Sequence, residues 1–319
     1  VKSFPPSKIR NVALVGHGGA GKTTVTEALL FAAGVTNRKG RVEDGTTTTD
    51  FDPEEVKRRI SVSVALAPLE WQDHKVNLLD CPGYSDFGTD TMAALRVADL
   101  AVFVVSAVEG VEVQTEQMWK AAAKLNLPRL IFVNKLDRER ASFTRTLDQL
   151  QQTFGAGIAP LELPIGEEAA FRGVADLLSD TAITYQNGVP TTGPIPDDME
   201  AQEHAVHDSL VEGIVVADDE LMERYLEGDT PSFEELEKTL AHGVASAQVF
   251  PVLCGSAAKD IAIDRLATFI CEIGPSPLDR AGVVVRAGDE DREIRPEPGG
   301  QPLALVFKTL ADPYVGKIS

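Results

Sequence analysis

Cysteine is scarce in this sequence: Cys81, Cys254 and Cys271 are the only three among 319 residues. An odd, scattered set has neither metal-ligand spacing nor the makings of a disulfide framework. All three therefore read as small core residues in a reduced, cytosolic (cytoplasmic) compartment. Long apolar runs are missing too, and none approaches the ~20 residues that cross a bilayer, so no membrane is expected among the partners. The first ten residues, VKSFPPSKIR, hold no apolar core of a secretory signal. Basic residues are nearly missing from one stretch. Residues 157–249 carry 3 Lys and Arg against 20 Asp and Glu, while the remainder carries 27 against 29. The net charge of −19 thus argues against nucleic acid only for that segment. It leaves the rest able to face RNA and suits the segment either to plain solvation or to a basic partner. At 319 residues the chain exceeds one ordinary core, so more than one domain is expected.

What is present centres on residues 16–23. Gly16-His17-Gly18-Gly19-Ala20-Gly21-Lys22-Thr23 is a complete G-x-x-x-x-G-K-T, preceded by the apolar run Val12–Val15 and followed by a helical pattern at Val25, Ala28, Leu29 and Ala32. That strand–loop–helix context is what a phosphate loop requires. Glycines let backbone N–H groups turn inward, and the helix N-terminus adds partial positive charge. His17 to Thr24 form the candidate phosphate-binding set. Lys22 reaches the β- and γ-phosphates, and Thr23 supplies a hydroxyl to Mg²⁺.

The pattern along the chain predicts an α/β fold built on a mostly parallel, doubly wound sheet. Residues 35–60 read as a long mobile loop with Thr46 to Thr49 in a row. Ile60–Leu66 alternates like a strand, and Val76–Leu79, Leu100–Val105, Leu130–Val133 and Val249–Leu253 are apolar runs of buried-strand type. Helices are expected at Phe87–Ala98, Gln114–Leu125 and Ile263–Ile273. Residues 157–248 break this rhythm and read as an inserted α+β subdomain, with short strands in LELPIG and FRGVADLL and acidic helices at Glu200–Val215 and Ser232–Ala245. Residues 1–156 with 249–279 make the nucleotide-binding domain, and residues 280–300 read as a linker. Leu303–Thr309 alternates like the first strand of a further β domain that residues 301–319 only begin, which suggests a longer protein.

Polar motifs fall at the carboxyl ends of the predicted strands, where ligands gather in such sheets. Asp80-x-x-Gly83 follows a strand. Asp80 suits Mg²⁺ through water, and the Gly83 N–H suits a γ-phosphate contact. Asn134-Lys135-x-Asp137 is more informative. The Asp137 carboxylate can accept from both guanine N1–H and the N2 amine, a donor pair that adenine lacks, while the Lys135 stem lies along the base. Ser256-Ala257 then offers a backbone N–H to guanine O6.

With these residues in hand, the chain resembles the N-terminal part of elongation factor G, a translation GTPase. Beyond the four motifs the likeness includes LPIGEEAAFRGVADLL, PVLCGSAAKD, PSPLD at 275–279 and the terminal DPYVGKIS. It is similar above all to the bacterial elongation-factor-G-like second form. The resemblance implies a P-loop NTPase G domain, the extra subdomain called G′, and the start of a β-barrel. It also implies GTP/GDP with Mg²⁺, a monomer, and a ribosomal partner reached through the large-subunit GTPase centre, the stalk protein and ribosomal RNA. Several positions depart from the family pattern. Tyr84 stands where the family has the His that orients the attacking water. A Tyr, with a pKa near ~10, can hold water but supplies no positive charge, or it simply packs on the loop. Gly19 replaces an Asp that helps hold a monovalent cation, and Gly18 replaces an apolar residue that screens the water. Ser61 keeps a hydroxyl able to complete the Mg²⁺ shell, though a plain strand Ser fits as well. The catalytic candidates are therefore Tyr84, Gly83 and Lys22, and the metal candidates Thr23, Ser61 and Asp80. Three functions stay open: a ribosome-stimulated GTPase, weakened at Tyr84; a guanine-nucleotide-dependent ribosome-binding module that hydrolyses little or nothing; or an ATP-using phosphoryl transferase, which guanine-only binding would exclude.

Overall fold

The computed structural model describes residues 2–155, 157–215, 217–297, 299–300, 302–312 and 316–319. Its centre is a seven-stranded sheet. The strands are β1 (Ile9–Val15), β2 (Ala65–Trp71), β3 (His74–Asp80), β4 (Leu100–Ser106), β5 (Arg129–Asn134) and β6 (Ile158–Pro160), joined much later by β11 (Phe250–Cys254). Their order is β2-β3-β1-β4-β5-β11-β6. Every neighbouring pair is parallel except β2 with β3. All residues of β4 and β5 are buried, as expected of strands covered on both faces. On one face α1 (Lys22–Ala32) packs against α9 (Ile263–Glu272). The remaining sheet helices are α2 (Pro53–Arg58), α3 (Gly88–Val97), α4 (Val113–Lys124) and α5 (Phe143–Phe154). Trp119 of α4 stacks on Phe154 of α5 at 4.1 Å between ring centres and meets Phe103 and Phe250 edge-on. Arg129 lies over the Trp119 and Phe250 rings.

Between β6 and β11 the chain leaves this sheet. It forms a four-stranded antiparallel sheet from β7 (Glu162–Ile165), β8 (Gly173–Asp176), β9 (Thr181–Gln186) and β10 (Val189–Gly193), then α6 (Glu200–Val215), α7 (Asp219–Leu226) and α8 (Phe233–Ala245). The expected boundary at residue 157 shifts, because Ile158–Pro160 pairs with Phe250–Val252 in the central sheet. The excursion begins at Leu161. A buried polar cluster ties the small sheet to α9. Arg265 of α9 contacts Glu162 at 3.4 Å and pairs with Asp176, while the Tyr185 hydroxyl donates to Asp264 at 2.6 Å. Burial pushes the Glu162 carboxyl up to about 8 despite the guanidinium beside it.

Four other expectations are corrected. Ile60–Val64 is not a strand; pairing with β3 starts at Ala65. The backbone donors of Val62 and Ser63 go instead to the buried Glu55 carboxylate, and that of Val64 goes to Asp90. The segment 35–60 is not all loop. Asp52 and Glu55 form a reciprocal capping box that starts α2. The stretch read as a linker contains a hairpin, β12 (Val283–Ala287) with β13 (Glu290–Ile294). Further on, Leu303–Thr309 takes no strand. The pairing falls on β14 (Leu310–Asp312) with β15 (Gly316–Ile318), and Pro313–Val315 of the DPYVGKIS piece lie outside the described residues.

Candidate functional site: a nucleotide cleft

Four loops leave the carboxyl ends of β1, β3, β5 and β11 and enclose a cleft of about 1100 Å³. It is lined by Gly18, Gly19, Gly21, Lys22, Thr23, Thr24, Ser61, Gly83, Tyr84, Asn134, Lys135, Asp137 and Ser256, so Lys22 and Asp137 open on one space. His17, Ala20, Asp80 and Ala257 stand just behind the lining and act on it through their contacts.

One end of the cleft is built at the start of α1. Gly21 precedes the helix at φ 98°, and a Cβ there would lie 2.5 Å from Asn134 Nδ2. Both facts require glycine. The buried Lys22 ammonium donates to the Gly16 and His17 carbonyls at 3.1 and 2.9 Å and lies against Gly83. Burial lowers its pKa, with the Asp80 charge opposing. A cation folded onto its own loop carbonyls has hydrogen bonds it can exchange for phosphate oxygens. The His17 imidazole faces Glu112 at 3.3 Å, so that residue serves the cleft through its carbonyl and not its ring.

Oxygen atoms gather beside it. The Thr23 and Ser61 hydroxyls are 3.1 Å apart, and Thr49 donates to Asp80 Oδ2 at 2.8 Å. Asp80 Oδ1 is buried and has no partner among the described residues. Burial raises the Asp80 carboxyl to about 6, with Asp50 adding to the rise and Thr49 and Lys22 opposing it. Burial raises Asp50 as well, against a hydrogen bond from Ser61. Two hydroxyls, an orphaned carboxylate oxygen and a second carboxylate form a hard, all-oxygen donor set, which fits Mg²⁺.

At the other end Asn134 joins two loops, donating to the Ala20 carbonyl at 3.0 Å and accepting from the Ala257 N–H at 3.0 Å. Ser256 Oγ donates to Asp137 Oδ1 at 2.6 Å, which fixes that carboxylate's plane. Lys135 takes a left-handed φ of 67° and lies 3.5 Å from Glu109, which also accepts from Ser106.

Residues 7–276 match the model of the elongation factor Tu GTP binding domain. The chain belongs to this family. It is a guanine-nucleotide-binding domain of the translation-factor type. A crystal structure from Thermus thermophilus is similar over 98% of this chain and 44% of that chain, at 40% identity and a TM-score of 0.88. The present chain thus spans less than half the length of that neighbour.

Tyr84 is 45% exposed at the cleft mouth, with its ring on the phosphate loop. A Cβ at Gly18 would lie 2.8 Å from Tyr84 Cζ. Positions 18 and 84 are therefore in contact: the ring occupies space that a side chain at 18 would fill. Sequence reading missed Thr49, Asp50, Glu109, Glu27 and Lys39. The Thr46–Asp50 run was the available signal, but nothing in it shows which hydroxyl meets Asp80.

Proposed function

We propose that this chain is the GTP-binding and GTP-hydrolysing part of a translation factor of the elongation factor G type, nearest its second bacterial form, acting in the cytoplasm as a monomer on the ribosome. The observation that carries the reading is the shared cleft of Lys22 and Asp137. Asp137 accepts the guanine N1–H and N2 donors. Lys135 flanks the base, Asn134 holds the loops around it, and the Ala257 region faces O6. Lys22 and the N–H groups from Gly18 to Thr24 hold the phosphates. Thr23, Ser61 and Asp80 hold Mg²⁺, which when bound neutralises charge on the β- and γ-phosphates. The Gly83 N–H meets the γ-phosphate.

Tyr84 holds the attacking water through its hydroxyl. It brings no positive charge to a reaction that depends on positioning and electrostatics, so turnover is slow while binding is intact. The acidic helices α6–α8 suit a basic ribosomal stalk domain, and ribosomal RNA is met by the intact protein. The second reading, a ribosome-binding module with little hydrolysis, is favoured by the ring's position on Gly18. Single-turnover GTP hydrolysis by the full-length protein, with and without ribosomes at low and high salt, separates the two. The GTPase reading expects ribosomal stimulation that weakens as salt screens the acidic helices. Absence of stimulation at every salt concentration leaves the binding module.

A further inference from the structure

Lys39 lies in the segment between α1 and α2, far in sequence from the base-reading loop. Its ammonium nevertheless donates to the Ala257 carbonyl at 2.8 Å, the Ala258 carbonyl at 3.1 Å and Asp260 Oδ1 at 2.5 Å. Three acceptors use all three of its N–H donors. The side chain is only 18% exposed, unlike an ordinary surface pair. These carbonyls sit on the loop whose other groups set the base end, since Ser256 Oγ reaches Asp137 and Ala257 N–H reaches Asn134.

The chain beyond Lys39 is tied down at once. Buried Glu27 of α1 accepts the Gly40 N–H at 2.8 Å and the Thr48 N–H at 2.5 Å. A Cβ at Gly40 would stand 2.5 Å from that carboxylate. Thr49, the next residue, donates to Asp80. Residues 39–49 therefore form one strap. It is fastened to the guanine loop by Lys39, to the phosphate-loop helix by Glu27 and to the metal side by Thr49.

We propose that Lys39 is a positioning residue for nucleotide retention. It fixes the carbonyl side of the 256–260 loop, keeps that loop's N–H and hydroxyl on Asn134 and Asp137, and couples it through the strap to Asp80. Opening the base end and releasing the metal-side loop then become one event instead of two. This inference rests on the guanine-nucleotide reading above.

The test is release of a fluorescent GDP from the full-length protein in the wild type, Lys39→Met, Lys39→Arg and Asp260→Asn, each with Mg²⁺ and with chelator. Lys39→Met keeps the stem and removes the donors. It is expected to speed release about tenfold with Mg²⁺ present and to shrink the difference that chelation makes. Lys39→Arg should restore part of the retention. Asp260→Asn should be milder, and adding it to Lys39→Met should bring no further loss. Melting stability of the nucleotide-free protein should fall in Lys39→Met by less than the tenfold change in release corresponds to. Release within twofold of wild type overturns the proposal. So does faster release with the full Mg²⁺ effect preserved, or a matching loss of nucleotide-free stability. Failure of the wild type to bind GDP at all would instead overturn the nucleotide reading itself.

Discussion

The contact between Gly18 and Tyr84 makes the two positions interdependent. The Tyr84 ring needs the space that glycine leaves, and a β-branched side chain at 18 would have to push it off the phosphate loop. Gly18→Val should therefore move Tyr84 without removing Lys22, Thr23 or Asp137. GDP affinity should stay within a few-fold of wild type, while single-turnover hydrolysis changes by ~10-fold or more. On the proposed ribosomal GTPase reading, Tyr84→His should raise the ribosome-stimulated rate, because an imidazole can carry positive charge. In the double variant the two effects should not add, as expected for residues in contact. Additive effects, or an unchanged rate in Tyr84→His, would remove Tyr84 from the hydrolytic step. Measurement of both rate and affinity in each variant decides it.

Among the elements, the join between the small sheet and α9 should respond to pH. Glu162 is fully buried beside Asp176 and the partly exposed Arg265, and its carboxyl is raised from an ordinary 4.5 to about 8. A raised native pKa means that the folded state binds the proton more tightly than the unfolded chain. The stabilisation is complete below about pH 4.5 and fades as pH rises towards 8. One proton corresponds to at most about 1.4 kcal/mol per pH unit. Glu162→Gln should flatten this part of the profile, so the wild type should lose stability relative to the variant between pH 5 and pH 8. Denaturant melts at the two pH values measure it, and parallel losses would contradict the burial argument.

The elements also show what local pattern can and cannot reveal. Buried strands such as Leu100–Ser106 were legible because an uninterrupted apolar run has few other uses. Ile60–Val64 misled because its alternation is real, yet Glu55 and Asp90 take the amides that a neighbouring strand would need. The β9–β10 hairpin had a readable sign that went unused. Asn187-Gly188 takes φ values of 51° and 78°, the two-residue turn that pairs Gln186 with Val189. Around the cleft, Lys22, Asp80, Asn134 and Asp137 were legible as candidates because each lies in a short motif. Glu27, Lys39 and Thr49 were not, since their partners lie 13 to 221 residues away and no local spacing encodes them.

Over the whole molecule, the sheet serves to bring the ends of β1, β3, β5 and β11 to one place. Lys22, Asp137 and Ser256 stand far apart in the sequence and meet only because of that strand order. Asn134 spans two of their loops, from the Ala20 carbonyl to the Ala257 amide. A nucleotide binding across such a cleft should stabilise the native state alone, by about 2.7 kcal/mol at a hundredfold excess over its Kd. The most direct test is a calorimetric titration of the wild type and Asp137→Asn with GDP, XDP and ADP in the presence of Mg²⁺. Tight GDP binding by the wild type, no measurable ADP binding, and a shift of preference from GDP towards XDP in Asp137→Asn is the predicted result. ADP binding comparable to GDP, or an Asp137→Asn variant that prefers GDP as strongly as the wild type, would contradict the account.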